Sequence, residues 1–205
     1  MTELPKTTFF NLPSGKKHTL IEALQKEFSH VPLTDASISN IIQYANIPRG
    51  SFYQYFHNKE DAFYYLFDQH ISITIETFLW ILKKHDGNLF EAMVDFFQVI
   101  ISDEENYRFF KNVLLNMNHR MEDSFTNIFT DEKKKGHFDQ ITKIVDFKQL
   151  KSAAQNEFSQ LMKLLSTITV HAMTQKYAKD LPLELALKNY RAQLELVKNG
   201  VIERR

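Results

Sequence analysis

The chain has 205 residues, a formal net charge of zero and no cysteine, with 43% hydrophobic and 24% charged residues. This length supports a sizeable apolar core, and the lack of cysteine excludes disulfides, cysteine-ligated zinc and thiol catalysis, as expected in a reducing cytoplasm. With only 5 Gly and 5 Pro to interrupt regular structure, the composition favours helices over a turn-rich sheet protein.

The first part of the chain predicts a flexible arm followed by three short helices. Residues 1–14 contain two prolines and show no helical periodicity, so we expect them to form the arm. Apolar residues recur at helical spacing from about residue 16 up to Pro32. Ser37 is a suitable N-cap for a second helix that ends near residue 44, and a third helix is predicted over 49–56.

The second and third of these helices are joined by a four-residue turn, which is the layout of a DNA-reading helix-turn-helix. Asn46 suits the left-handed conformation of the turn, and Pro48 suits the start of the next helix. Phe52 and Phe56, four residues apart, are expected to anchor that helix to the core. The residues left available to a major groove are Arg49, Gly50, Ser51, Tyr53, Gln54 and Tyr55.

Beyond residue 58 the pattern is helical nearly throughout. The predicted helices cover 59–84, 89–101, 105–117, 150–172 and 183–201. Asn58 is expected to cap the first of them, residues 86–88 to form a turn, and Gly200 to end the last helix. Residues 118–146 are the hardest to interpret. The richest apolar stretch, 89–101, is too short to cross a bilayer, and no signal peptide is recognised, so we expect a cytoplasmic protein without a membrane segment.

The segment from about residue 16 to 65 resembles the tetracycline-repressor (TetR) family of bacterial transcriptional regulators. The family signature ends its first helix in Phe, caps the second, turns through four residues and continues into a helix that ends in Phe before an Asn-Lys-Glu or Ser-Lys-Glu cap. The residues that match it are Phe28, Ser37-Ile38, Ala45-Asn46-Ile47-Pro48, Arg49-Gly50-Ser51-Phe52-Tyr53-Gln54-Tyr55-Phe56 and Asn58-Lys59-Glu60.

The resemblance implies an all-α fold, with a three-helix DNA-binding domain at 15–60 and a larger helical domain for ligand binding and dimerisation at 61–205. It also implies a division of roles between phosphate contacts, at Ser37, Tyr53, Tyr55 and Lys59, and base contacts, at Arg49, Gly50, Ser51 and Gln54. The chain departs from the family pattern at Pro32, Ala36, Asn46 and Pro48, and the missing hydroxyls at 36 and 48 would remove phosphate contacts.

For the larger domain, the family layout implies a homodimer held by the last two long helices, whose apolar stripes suit a four-helix interface. The predicted interface residues are Phe158, Leu161, Leu165, Ile168, Tyr190, Leu194 and Val197. With 18 Phe in the chain, we expect an apolar or amphipathic effector that shifts the helix over 59–84 and so releases palindromic DNA. The predicted lining residues are Phe67, Ile71, Phe78, Phe97, Phe109, Phe110 and Met117.

Two alternatives to a ligand-responsive repressor stay open at this stage. One is a DNA-binding regulator without a small-molecule ligand, and the other is a helical interaction scaffold whose helix-turn-helix no longer reads DNA. An enzyme is not expected, because no phosphate loop, nucleophile elbow or carboxylate pair stands out. Despite eight histidines, no ligand spacing typical of a metal site is found, and no cofactor is expected.

Overall fold

The computed structural model describes residues 5–102, 107–129 and 135–202, and these form twelve α-helices. The predicted all-α fold is confirmed, since the only β-type pairing in these ranges is one isolated bridge between Leu150 and Ile202. The helices are α1 (Thr7–Phe10), α2 (Ser14–His30), α3 (Ile38–Ala45), α4 (Arg49–Tyr55), α5 (Lys59–Lys84), α6 (Leu89–Ser102), α7 (Arg108–Leu115), α8 (His119–Thr126), α9 (Lys135–Ile144), α10 (Ser152–Asn156), α11 (Phe158–Ala178) and α12 (Leu183–Val201).

The chain divides into two compact units, and the division falls inside α5. The N-terminal unit comprises residues up to Ser72 together with Arg108–Asn116, and the C-terminal unit comprises Ile73–Tyr107 and residues from Met117 onward. The domain boundary predicted at residue 60 stays a prediction. Phe63, in the first half of α5, packs against both Phe28 and Phe109 of the N-terminal unit, a tertiary contact that helical periodicity does not reveal.

In the N-terminal unit, α2 packs against both α3 and α7. Asn112 of α7 uses its side-chain amide to donate hydrogen bonds to the carbonyls of Phe28 and Val31, at 2.8 and 2.6 Å. These two carbonyls lie at the C-terminal end of α2, where a helix has no internal partners for its last carbonyls. Asn112 therefore supplies the missing hydrogen-bond donors at the end of α2.

His70 of α5 belongs to the same unit, and its imidazole is uncharged at pH 7. Its ring stacks on Phe109 with centroids 4.6 Å apart, and its Nε2 lies 2.6 Å from Oε1 of Gln25. Burial lowers the pKa of His70 to about 4, because a charged imidazolium loses its hydration there. This histidine therefore acts as an uncharged hydrogen-bonding and stacking group between α2, α5 and α7.

Residues 5–14 belong to the segment that was predicted to form a flexible arm. They contain the single turn α1, which packs against α4. The side chain of Phe9 is wholly buried, so this turn is attached to the core. The apolar residues of this stretch, Phe9, Phe10 and Leu12, are too few to show a helical period, so the sequence pattern offered no sign of this packing.

The C-terminal unit is built on α6, α11 and α12, which pack against one another, with α8 against α11. At its centre, Tyr190 of α12 stacks on Phe97 of α6 with ring centroids 4.1 Å apart. The Tyr190 hydroxyl is paired with Oγ1 of Thr169 at 2.7 Å, so this buried polar group is satisfied. Burial raises the pKa of Tyr190, which keeps it neutral.

The turn between α5 and α6 forms where it was predicted. Asp86 and Gly87 both adopt positive φ, at 50° and 80°. The Gly87 carbonyl accepts a hydrogen bond from the Asp146 amide at 3.0 Å, which ties this turn to the end of α9. A Cβ on Gly87 would lie 2.1 Å from the Ile144 carbonyl oxygen, so only glycine fits at this position.

Several predicted helix boundaries shift in the structure. The stretch 118–146 contains α8, capped by the side chain of Asn118, and α9. The helix predicted over 150–172 is instead α10 followed by α11, because Glu157 between them leaves the helical conformation. Gly200 does not end the last helix but lies inside α12, which runs to Val201. The predicted helix over 105–117 is observed as α7, and residues 105–106 lie outside the described ranges.

Across the three described ranges, no helix combines the length and the apolar character that a membrane span requires.

Candidate nucleic-acid interface

The predicted turn between α3 and α4 forms through local chemistry. Ser37 caps α3 by accepting a hydrogen bond from the Ser39 amide at 3.2 Å. Asn46 ends the helix in the left-handed conformation, with φ and ψ both 50°, and the Ile47 amide reaches back to the Ile42 carbonyl at 3.1 Å. These bonds satisfy the end of α3 and turn the chain within a few residues, which directs α4 away from α3.

Helix α4 is attached to the core on one side and open to solvent on the other. Phe52 and the following Phe56 are wholly buried, as their four-residue spacing predicted. Arg49, Gly50, Tyr53 and Gln54 are exposed, whereas Ser51 and Tyr55 are half-buried. The helix therefore presents a polar and aromatic surface two turns long, with nothing from the described chain within 4 Å of a Cβ placed on Gly50.

Arg49 connects the two helices of the motif. Its guanidinium donates to Oγ of Ser39 at 3.3 Å and to the Tyr53 hydroxyl at 3.4 Å, and it lies 5.8 Å from the centroid of the Tyr53 ring. Both contacts are solvent-exposed and long, so they cost little to exchange for a nucleic-acid acceptor. They hold a cation at the N-terminal end of α4, where it can reach a guanine edge or a phosphate.

Lys59 has a structural partner that the sequence did not indicate. Its ammonium donates to the carbonyls of Thr34 and Ala36, at 2.6 and 3.0 Å. Two of its three N–H donors are therefore used to hold the loop before α3 against the start of α5. Asn58 caps α5 as predicted, with its Oδ1 accepting from the Asp61 amide at 2.8 Å.

Glu27 of α2, which sequence reasoning missed, stabilises the start of α3. Its buried carboxylate accepts a hydrogen bond from the Ser37 amide at 2.7 Å and two longer contacts, both 3.2 Å, from the Asn40 side chain. A buried carboxylate is stable only when such donors surround it. Glu27 lies on the apolar stripe of α2 between Ala23 and Phe28, and a charged residue at a core position was the signal available in the sequence.

We expect Glu27→Ala to lower the free energy of unfolding by about 2 to 3 kcal/mol, because it leaves the Ser37 and Asn40 donors without their charged acceptor. Urea unfolding of the full chain measures this. Glu22→Ala is the matched control, since Glu22 is an exposed residue of the same helix whose pair is His18 at 3.2 Å. The control is expected to change stability by less than about 0.5 kcal/mol. Equal effects of the two substitutions would contradict the supporting role.

The predicted ligand-lining residues are divided between the two units. Phe67, Ile71, Phe109 and Phe110 belong to the N-terminal unit, whereas Phe78, Phe97 and Met117 belong to the C-terminal unit. All of them except the half-buried Met117 are enclosed by core packing. Phe78, for example, has its ring centroid 4.6 Å from that of Phe129. Their role in ligand binding therefore stays a prediction.

Most of the predicted dimer residues are buried in the core of the C-terminal unit. Five of them, Phe158, Leu161, Leu165, Tyr190 and Leu194, are buried within the single chain. They have little surface left for a second copy, because the apolar stripes on which they lie pack against α6, α8 and each other. Ile168 and Val197 are partly exposed. The large apolar side chains that α11 and α12 do expose are Leu164, Leu183, Leu185 and Leu196.

Among the described side chains, no group of three or more His, Asp or Glu residues is arranged to hold a metal ion. His70 of α5 is engaged by Gln25 and Phe109. The exposed groups of the α3–α4 surface offer hydrogen bonding, cation contact and aromatic contact, which is the chemistry of nucleic-acid recognition.

Two family models match the sequence. The model described as "Bacterial regulatory proteins, tetR family" matches residues 20–66, which contain the motif described above. The model described as "Tetracyclin repressor-like, C-terminal domain" matches residues 88–201, more than half of the chain. No curated protein matches the sequence.

Two solved structures resemble the chain along nearly its whole length. A TetR-family transcriptional regulator from Pectobacterium atrosepticum is 14% identical, with a TM-score of 0.66, and the match covers 97% of this chain and 98% of the other. A TetR family transcriptional regulator from Chloroflexus aurantiacus is 20% identical, with a TM-score of 0.48, and covers 98% and 100% of the two chains. The likeness to the Pectobacterium atrosepticum regulator shows that the two chains share a fold.

Proposed function

The chain belongs to the TetR family of bacterial transcriptional regulators, and from that premise we propose that it is a ligand-responsive repressor that binds a palindromic operator as a homodimer. The observation that carries this proposal is the surface of α4, a short helix pinned by Phe52 and Phe56 with its polar side open to solvent. A helix of this size fits the major groove of B-form DNA.

Within the proposed interface, we assign the polar groups of α4 and of the α3 cap to bases or to phosphates according to their chemistry. Arg49 and Gln54 carry the forked donors and acceptors that read guanine and adenine edges, and Gly50 allows the backbone to approach the bases closely. Ser37, Tyr53 and Tyr55 carry hydroxyls suited to phosphate oxygens. We assign Lys59 to positioning the preceding loop instead of a phosphate, because the Thr34 and Ala36 carbonyls occupy two of its donors.

DNA binding is tested by measuring the affinity of the full chain for a random-sequence duplex at several salt concentrations. Lysine and arginine side chains that neutralise phosphates release counterions, so log affinity should fall linearly with log salt concentration. Selection from a random duplex pool should then yield a palindrome with half-sites about one helical turn apart. A salt slope near zero together with no selected sequence would favour the alternative of a helical scaffold without DNA-reading activity.

For dimerisation, we propose that the exposed leucines of α11 and α12 form the interface. Leu196 is 79% exposed and Leu164 is 48% exposed, and Leu185 lies on the same side of α12 as Leu196, eleven residues or about three turns before it. Exposed leucines on two neighbouring helices form an apolar surface that a second copy would cover by two-fold symmetry. Two joined recognition helices would also combine the affinities of two half-sites.

We expect the double variant Leu164→Glu/Leu196→Glu to be monomeric at concentrations at which the wild type is dimeric. Both side chains are exposed within the single chain, so the folded unit tolerates the change, whereas carboxylates facing each other across an interface repel. Sedimentation equilibrium measures the association, and circular dichroism verifies the fold. Ile73→Glu is the control, since Ile73 is an exposed apolar residue of α5. A wild-type-like dimer in the double variant would contradict this interface.

For the effector, we propose an apolar or amphipathic molecule bound in the C-terminal unit next to Phe97. Phe97 stacks on Tyr190, and the Tyr190 and Thr169 hydroxyls form a satisfied polar pair within an apolar core. An apolar surround with a few fixed hydrogen-bonding groups is the usual composition of a small-molecule site. Because α5 belongs to both units, its displacement would couple this site to the recognition helix.

The competing candidate is a regulator without a small-molecule ligand, and it is favoured by the burial of six of the seven predicted lining residues. Thermal unfolding in the presence of a panel of apolar compounds separates the two candidates. A compound that binds only the folded state raises the unfolding temperature by mass action. A compound that stabilises the chain and also releases the selected duplex would support the ligand-responsive repressor. Release without stabilisation, or no release by any compound, would support the ligand-free regulator.

A further inference from the structure

The C-terminal end of α4 has no cap of its own. Its last four carbonyls, from Phe52 to Tyr55, have no partners within a regular helix. The residue that follows, Phe56, is extended, with φ −131°, and offers only its amide, which bonds to the Phe52 carbonyl at 2.9 Å. Neither a glycine nor a left-handed residue closes this end. Three carbonyls of the recognition helix therefore need partners from elsewhere.

All three partners come from residues 6–8. The ammonium of Lys6 donates to the Tyr53 carbonyl at 2.7 Å. The hydroxyl of Thr8 donates to the Gln54 carbonyl, and the backbone amide of Lys6 donates to the Tyr55 carbonyl at 2.9 Å. These donors lie more than forty residues away in the chain, yet they satisfy three successive acceptors. The Lys6 ammonium also opposes the negative end of the helix dipole.

Phe9 anchors this segment to the core. Its buried ring lies 5.2 Å from the Phe56 ring and 4.8 Å from the Tyr65 ring, measured between centroids. The Lys17 ammonium of α2 lies 5.0 Å from the centroid of the Phe9 ring and 5.3 Å from that of Phe10. The three donor groups are thus held in place by one aromatic anchor, with a cation above it.

We propose that residues 6–9, which we call the N-terminal clip, are a positioning element for DNA binding, because they cap the recognition helix and hold its DNA-facing residues in place. The clip binds the carbonyls of Tyr53, Gln54 and Tyr55, the residues assigned to phosphates and bases above. A seven-residue helix is too short to hold its own last turn. This inference rests on the proposed function, since it concerns the same surface.

The clip sets the fraction of molecules in which the recognition helix is fully formed. This fraction determines the apparent affinity for DNA. The apparent dissociation constant rises in proportion as that fraction falls. One hydrogen bond changes such an equilibrium by about fivefold. A dimer needs both of its recognition helices, so the loss is counted twice when the operator is palindromic. A small local change at residue 8 is therefore amplified in the affinity of the dimer.

The test is Thr8→Val, which removes the hydroxyl that donates to Gln54 while keeping size and net charge. The full chain is titrated with the duplex selected by the wild type, well below its unfolding temperature, and hydrogen exchange of α4 amides is measured without DNA. Thr8→Ser keeps the hydroxyl. Thr19→Val removes a similar hydroxyl, which bonds to the Gly15 carbonyl at 3.1 Å within α2. These two variants are the controls.

We expect Thr8→Val to bind the palindromic duplex about 25-fold more weakly, which is about fivefold at each of its two half-sites, with faster exchange in α4 and unchanged exchange in α2. Thr8→Ser and Thr19→Val should stay within about twofold of the wild type. Weaker binding without faster exchange would mean that Thr8 touches DNA directly and would overturn the capping role. Equal behaviour of Thr8→Val and Thr19→Val would also overturn it. If the wild type bound no DNA, the proposed function would fail. Exchange of the α4 amides in Thr8→Val that is as slow as in the wild type would refute the clip, whether or not the wild type binds DNA.

Discussion

Replacing Gly50 by leucine is expected to weaken operator binding by about two orders of magnitude while the protein stays folded. A Cβ at Gly50 meets no atom within 4 Å, and the residue does not need a positive φ, so leucine fits in α4 and suits a helix better than glycine. In a groove, however, the side chain would keep the backbone of α4 away from the base edges. A loss of about 1.5 kcal/mol at each of two half-sites gives roughly a hundredfold weaker binding.

The measurement is a fluorescence anisotropy titration with the selected duplex, accompanied by a thermal unfolding curve. Gly136→Leu is the matched control, because Gly136 is an exposed glycine of α9 with no atom within 4 Å of its Cβ position. That variant should bind DNA as the wild type does. If Gly50→Leu kept its affinity, α4 would not lie in a DNA groove, and the assignment of this surface would be wrong.

Gly87→Ala is expected to destabilise the C-terminal unit by about 3 kcal/mol or more. The backbone of Gly87 has φ +80°, and an added Cβ would lie 2.1 Å from the Ile144 oxygen and 2.7 Å from the Asp146 nitrogen. Both are backbone atoms and have no rotamer by which to move away. The α5–α6 turn would have to separate from the end of α9, which breaks the hydrogen bond from the Asp146 amide to the Gly87 carbonyl.

Thermal unfolding detects this loss as a decrease of about 6 to 12 °C in the midpoint temperature. Gly136→Ala serves as the control, since the same substitution in the open helix α9 should leave stability unchanged or raise it slightly. A midpoint for Gly87→Ala within about 2 °C of the wild type would show that residues 85–88 do not depend on their contact with α9.

Local sequence chemistry was enough to place the recognition motif. The cap at Ser37, the left-handed Asn46 and the paired anchors Phe52 and Phe56 act within a few residues of one another, so their pattern predicts the helix, the turn and the next helix. The same holds for the turn at Gly87. The scarcity of glycine and proline and the long stretches of helical periodicity favoured helices, and the family resemblance implied the all-α fold.

Only the tertiary structure decided which elements pack against one another and which backbone groups their side chains bind. Helical periodicity shows that a face is buried but not what covers it. Leu165 and Tyr190, predicted to lie at a dimer interface, are already buried within the single chain, and their part in dimerisation stays a prediction. The Glu27 carboxylate, the Lys59 ammonium and the N-terminal clip each bind backbone groups 10 to 49 residues away. A backbone carbonyl or amide carries no residue-specific signal, so no pattern of side chains shows which one will lack a partner until the helices have packed.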